Sequence, residues 1–146
     1  MTRPGADAPL LVAGLRAAPF DVEALVESVR RDDCGGLVVF EGTTRSPNHG
    51  HEVLALDYEA WEDRTPAQLE QIVAEVAELH GLRGAVGVHR TGPVPVGGTA
   101  VVVVAVAAHR DAAFAGARDL IDRIKAEAWI WKKELRADGE VWIEGC

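Results

Sequence analysis

Thr99-Ala-Val-Val-Val-Val-Ala-Val-Ala107 is the segment that most restricts the fold. Successive side chains of a strand point to opposite faces, so an all-apolar run needs both of its faces covered. Its valines favour extended backbone, and nine residues suit a strand better than a helix. The run therefore predicts a central strand, and the rest of the chain must supply neighbours and two covering layers.

The neighbours are legible on either side. Leu10–Leu15, Leu37–Phe40, Val53–Glu59 and Ala85–Arg90 read as strands by composition. In the third of these, Leu54, Leu56 and Tyr58 share one face, and Asp57 and Glu59 the other. Asp21 can cap a helix to about Arg31, with Leu25, Val26 and Val29 inward. Thr65-Pro-Ala-Gln68 reads as a helix start, with Thr65 as cap, Pro66 in the first turn and Gln68 completing a capping box. Leu69, Ile72, Val73, Val76 and Leu79 form its inner stripe, and Gly81 closes it. Asp111 caps a third helix through about Ala126. Lys132–Leu135 and Val141–Glu144 flank the turn Ala137-Asp-Gly139 as a closing hairpin. Gly42–Gly50 and Gly92–Gly98 read as loops. Helices do not alternate with single strands, so the predicted class is α+β, with a mixed or antiparallel sheet, three main helices and a C-terminal β-hairpin.

A length of 146 residues suits one domain, 1–146, whose first nine residues, punctuated by Pro4, Gly5 and Pro9, read as a loose segment. The formal net charge of -8 argues against nucleic acid, whose binders carry a broad basic footprint. A small anion, which feels only the local field, is not excluded. Asp7, Pro9 and Arg16 interrupt Leu10–Leu15, leaving no convincing signal peptide, and no apolar run approaches the ~20 residues of a membrane span. Cys34 reads as a small core residue and Cys146 as a frayed end. Neither has partners at zinc spacing, so no metal is implied, and two cysteines suit a reducing cytoplasm.

Cations with a chemical use stand in four places. Lys125 falls ~20° from Phe114 and ~40° from Ile121 around the third helix, at the edge of its apolar face. Lys132 alternates with Ile130 and Glu134 on a strand, opposite Trp131 and Lys133. His109-Arg110 stands where a helix begins, and free N–H groups there favour anions. Arg45 occupies the centre of the Gly42–Gly50 loop, where a guanidinium suits phosphate. Each has a plainer reading as a solvated or snorkelling surface residue. Lysines near apolar surface and other cations would have lowered pKa values suited to acid–base work. No nucleotide-binding loop, Ser-His-Asp set or paired-cysteine motif is present.

Five segments occur together: Gly36-Leu-Val-Val-Phe-Glu-Gly-Thr-Thr-Arg45, Leu56-Asp-Tyr-Glu59, Val88-His-Arg-Thr-Gly92, Ala107-Ala-His-Arg110, and Ile124-Lys-Ala through Ile130-Trp-Lys-Lys-Glu134. In order and spacing they resemble the MoaE family, the large, catalytic subunit of molybdopterin synthase. The resemblance covers roughly residues 35–145. It implies the family's α/β hammerhead fold and the conversion of precursor Z, cyclic pyranopterin monophosphate, to molybdopterin. It further implies a sulfur donor, the C-terminal Gly-Gly thiocarboxylate of a ubiquitin-like small subunit, and a homodimer within a heterotetramer. On this sequence it makes Lys125 and Lys132 the catalytic lysines, and Arg45, His109, Arg110 and Phe40 substrate-pocket residues. No cofactor is called for, and the absence of a plausible catalytic cysteine fits a partner that supplies the sulfur. Two departures stand out: Trp129 where the family often has proline, and Glu127 where a basic residue is common. The competing reading is a non-catalytic module that binds a ubiquitin-like tail or an anionic metabolite; a third is a structural domain with ordinary surface lysines.

Overall fold

The computed structural model describes residues 8–143. Eleven elements follow one another: β1 (Leu10–Arg16), α1 (Val22–Val29), β2 (Gly36–Thr43), β3 (Ala55–Ala60), α2 (Thr65–His80), β4 (Gly84–Arg90), β5 (Gly92–Pro95), β6 (Thr99–Ala107), α3 (Arg110–Glu127), β7 (Ile130–Arg136) and β8 (Gly139–Ile143). They form the expected α+β architecture, divided into two four-stranded sheets, β1-β4-β6-β2 and β5-β3-β7-β8. The first is mixed, because β1 runs parallel to β4 while the other pairs are antiparallel. The second is antiparallel throughout.

The valine run becomes β6, an inner strand between β4 and β2. Val101, Val103, Ala105 and Ala107 pack under α2 and α3 with Leu69, Ile72, Val73, Leu120, Ile121 and Ile124. Val102, Val104 and Val106 join Val29, Val86 and Val88 on the other face, with Leu25 and Val26 of α1 packed against them. Each fully buried valine contributes about 1.5–3 kcal/mol relative to an exposed one, which is why this strand sits inside. Gly87 of β4 lets the helices come close: a Cβ there would lie 2.7 Å from Val73 and 3.3 Å from Ile124.

Several sequence expectations change. Gly92–Pro95 is not loop but β5, an edge strand paired with β3 from Ala55↔Pro95 to Tyr58↔Gly92. An edge tolerates Pro93 and Pro95 because its outer side needs no donors. The capping box before α2 does not form. The helix starts at Thr65 with Arg64 as a cap that lacks a side-chain bond, and Thr65 and Gln68 spend their polar groups on the end of α3 and on Trp129, just before β7, instead. Leu79 is 73% exposed, at the margin of the α2 stripe. Leu82 takes the buried place, because the left-handed Gly81 turns the chain so that the Leu82 N–H reaches the Ala77 carbonyl. The cap of α3 is His109, not Asp111, whose charge stands instead in the first turn, where the helix dipole favours it. Cys34 is half-buried rather than a core residue. Cys146, Glu144 and residues 1–7 lie outside the described residues.

Candidate active site

Lys132 is placed by sheet register. It lies across from Tyr58 on β3 and Ile143 on β8. Directly paired residues share a face, so Ile130, Lys132 and Glu134 project with Leu56 and Tyr58 into one cavity of about 570 Å³. That volume is within the range of small-molecule sites. Lys125, in the last turn of α3, lines the same cavity. It does so as an exposed residue in an open cleft rather than a desolvated one, on the outer margin marked by Phe114 at 63% exposure. Lys132 is half-buried.

The spacing of the two lysines is fixed by α2. Gln68 donates from Nε2 to the Glu127 carbonyl at 2.6 Å and accepts from the Trp129 N–H at 3.0 Å. Thr65 Oγ1 donates to the Trp129 carbonyl at 3.1 Å. The α3–β7 joint, which leaves both helix and sheet ladders, is satisfied by side chains from a third element. The two family departures are housed locally. The Trp129 ring lies 5.2 Å from that of Trp61. The Glu127 carboxylate accepts from Arg123 at 2.7 Å, which holds its pKa below the usual carboxylate range against the opposing effect of burial.

Arg45 enters from the loop between β2 and β3. Its Nη2 donates to Asn48 Oδ1 at 3.2 Å, and Asn48 Nδ2 donates to Glu134 Oε2 at 3.0 Å. Glu134 is fully buried and accepts from Arg136 Nε at 2.6 Å on its other oxygen. Burial pushes the Glu134 pKa up, but the bonds from Asn48 and Arg136 and the nearby positive charge outweigh it and leave the value lowered. Glu134 is thus a committed carboxylate: it anchors the arginine loop to β7 instead of neutralising the lysines.

His89, on β4, forms part of the cavity wall and is 8% exposed. Its Nδ1 lies 2.8 Å from the Arg90 carbonyl, and its ring meets Tyr58 edge to face at 4.8 Å. Burial lowers its pKa to about 4, opposed by the Arg90 bond and assisted by the charges of Lys125 and Lys132. Burial also raises the Tyr58 phenol to about 12. Both rings are neutral near pH 7.

Three of the candidate residues, Arg45, Lys125 and Lys132, converge on this cavity. Phe40 does not line it; its ring edge stands 3.7 Å from where a Cβ of the lining residue Gly42 would be. His109 and Arg110 lie apart, in a second cleft with Gly35, Ala108 and Asp111 at the start of α3. Fifteen residues of helix separate Arg110 from Lys125, a span of about 22 Å. Within one chain the two groups cannot grip the same small ligand. Sequence reading missed His89, Tyr58, Asn48 and Glu134 as site residues. The signal for His89 was a histidine directly following the apolar run 84–88 of a strand; Asn48 and Glu134 carried none, because they are 86 positions apart.

An α+β chain that gathers an arginine and two lysines around one cavity has the geometry of a protein for small anionic ligands. The chain belongs to the MoaE family, whose model, described as MoaE protein, matches residues 15–127. It is 42% identical over 124 residues to a molybdopterin synthase catalytic subunit of Oryza sativa subsp. indica, covering 85% of this chain and 64% of that protein. The chain therefore spans somewhat less than two thirds of that relative's length. A molybdopterin synthase catalytic subunit of Bacillus subtilis is 37% identical over 86% of this chain and 80% of its own. Among solved structures, a molybdopterin synthase from Staphylococcus aureus superposes with a TM-score of 0.83 at 32% identity, covering 88% of this chain and 94% of that one.

Proposed function

We propose that this chain is the catalytic subunit of a molybdopterin synthase, a sulfurtransferase that converts precursor Z to molybdopterin in molybdenum cofactor biosynthesis. The observation that carries the reading is the meeting of Arg45, Lys125 and Lys132, from a loop, a helix and a strand, around one cavity. The relatives are named catalytic subunits, which implies a second subunit. That partner is a ubiquitin-like protein whose Gly-Gly thiocarboxylate brings the sulfur, so this chain needs no nucleophilic cysteine in the cavity. Arg45 offers a fork to the substrate phosphate. Lys125 transfers protons or holds the substrate transiently as sulfur attacks. Lys132 binds the incoming thiocarboxylate and offsets the negative charge that develops.

His109 and Arg110 join this chemistry only if a second copy brings its α3 start to the cleft, which fits a homodimer inside a heterotetramer. No helix among the described residues is long and apolar enough to cross a membrane. The compartment we assign is the cytoplasm, in keeping with the free thiol of Cys34. The test is reconstitution: this chain, a thiocarboxylated small subunit and precursor Z should yield the dithiolene product. Tail binding without product would instead mark a non-catalytic docking module.

A further inference from the structure

We propose that Asn48 is a positioning residue for Arg45: its side-chain amide ties the guanidinium to the buried Glu134 carboxylate and so sets where the arginine offers its fork to the substrate phosphate. Its role rests on reading the cleft as the site that binds precursor Z.

The two partners dictate which way the amide faces. An ionised carboxylate only accepts, so the atom 3.0 Å from Glu134 Oε2 is the Asn48 NH2 group. A guanidinium only donates, so the atom 3.2 Å from Arg45 Nη2 is Asn48 Oδ1. The backbone of Asn48 is pinned as well. Its N–H donates to the His51 carbonyl at 2.9 Å, and its carbonyl accepts from the His51 N–H at 3.0 Å. Between them, His49 and Gly50 have φ of 49° and 80°, both positive as a type I′ hairpin turn requires. On one side of this turn Ser46 Oγ accepts from the Val53 N–H at 2.9 Å; on the other, Thr44 bonds through its backbone to Gly97 and Gly98. The loop therefore delivers a half-buried Asn48 to a fixed place between the exposed Arg45 and the fully buried Glu134.

An arginine on an exposed loop loses rotamer freedom when it grips a ligand, and holding it beforehand lowers that cost. An amide can do so without cancelling the charge. A carboxylate at position 48 would pair with Arg45 and repel Glu134. The far end of the relay is firm, because Arg136 Nε donates to the other Glu134 oxygen at 2.6 Å. Hydrogen bonds in such a chain polarise one another, so the buried carboxylate strengthens Asn48 Oδ1 as an acceptor. Arg45 and Asn48 both line the cavity. A guanidinium carries five N–H groups and the bond to Asn48 takes one, which leaves donors for phosphate oxygens.

In the assembled complex with thiocarboxylated small subunit, Asn48→Ala should raise KM for precursor Z about tenfold with kcat little changed. The same substitution in an Arg45→Ala background should add almost nothing, because the amide acts only through the arginine. Asn48→Asp keeps an acceptor for Arg45 but neutralises it and repels Glu134, so KM should rise at least as much. An unchanged KM in either single variant, or a rise that persists in the Arg45→Ala background, would overturn the assignment. The wild-type protein gives a readout that needs no variant to fold. In the full-length chain without ligand, the order parameter of the Arg45 Nε–H, from nitrogen NMR relaxation, should exceed about 0.6, below which a group counts as flexible. A lower value would also overturn the assignment. A wild-type complex that makes no dithiolene would sink the synthase reading alone, since the Arg45 order parameter would still judge Asn48.

Discussion

Gln68 accepts a hydrogen bond from the Trp129 N–H at 3.0 Å while donating to the Glu127 carbonyl at 2.6 Å, so one side chain of α2 clamps the joint between the two lysines. A residue whose spacing suited a helix cap is used instead to brace the joint between α3 and β7. Gln68→Ala removes both bonds and should lower stability by about 1–3 kcal/mol in denaturant melts. It should also depress kcat, since the Lys125–Lys132 geometry loosens. Unchanged kcat in a destabilised variant would show that the clamp serves folding only.

Glu134 predicts acid sensitivity. Its folded pKa lies below the ordinary 4.5, because bonds from Asn48 and Arg136 overcome the burial that raises it. The sign follows: this stabilisation is present above the unfolded value and is lost as pH falls through the folded one. Glu134→Gln should therefore be less stable at pH 7 by about 1–3 kcal/mol, with the difference shrinking below pH ~4.5. A constant difference across pH 3–7 in urea titrations would contradict this.

His89 acts in a higher pH window. Its pKa falls from 6.5 to about 4 on folding. Between those values the unfolded chain binds the proton and the folded chain does not, so stability declines as pH drops from 6.5 toward 4. The full effect is about 3 kcal/mol. His89→Asn should flatten that part of the stability curve, measured by denaturation at a series of pH values. An identical slope in the variant would mean that the ring is not held neutral.

Lys125→Ala should abolish product formation, by about a hundredfold or more. Its thermal midpoint should stay within about 2 °C of wild type, because the side chain is exposed in the last turn of α3. Single-turnover assays and calorimetry read the two quantities separately. Normal turnover would remove Lys125 from the mechanism.

Arg110 and Lys125 lie at opposite ends of α3, so a shared ligand requires two chains. Arg110→Ala and Lys125→Ala chains, each impaired alone, should regain activity when refolded together. Random pairing would give one intact cleft in each mixed dimer, about a quarter of all clefts. No recovery on mixing would mean that each chain works with its own residues, and would leave Arg110 outside the site.

The sequence determined much of this by itself. The valine run dictated a covered inner strand, alternation put Lys132 with Glu134, and helical angle put Lys125 at the edge of an apolar face. These are local periodicities, and local rules suffice to read them. The tertiary structure decided the rest. The diversion of Gln68, the reach of Asn48 to Glu134, the pairing of a proline-rich segment as β5, and the gathering of His89 and two lysines around one cavity all join residues distant in the chain. The separation of His109 and Arg110 from the cleft is of the other kind, since it follows from the length of α3 alone. Hydrogen-bond satisfaction and packing in three dimensions select the distant contacts, and no spacing along the chain encodes them.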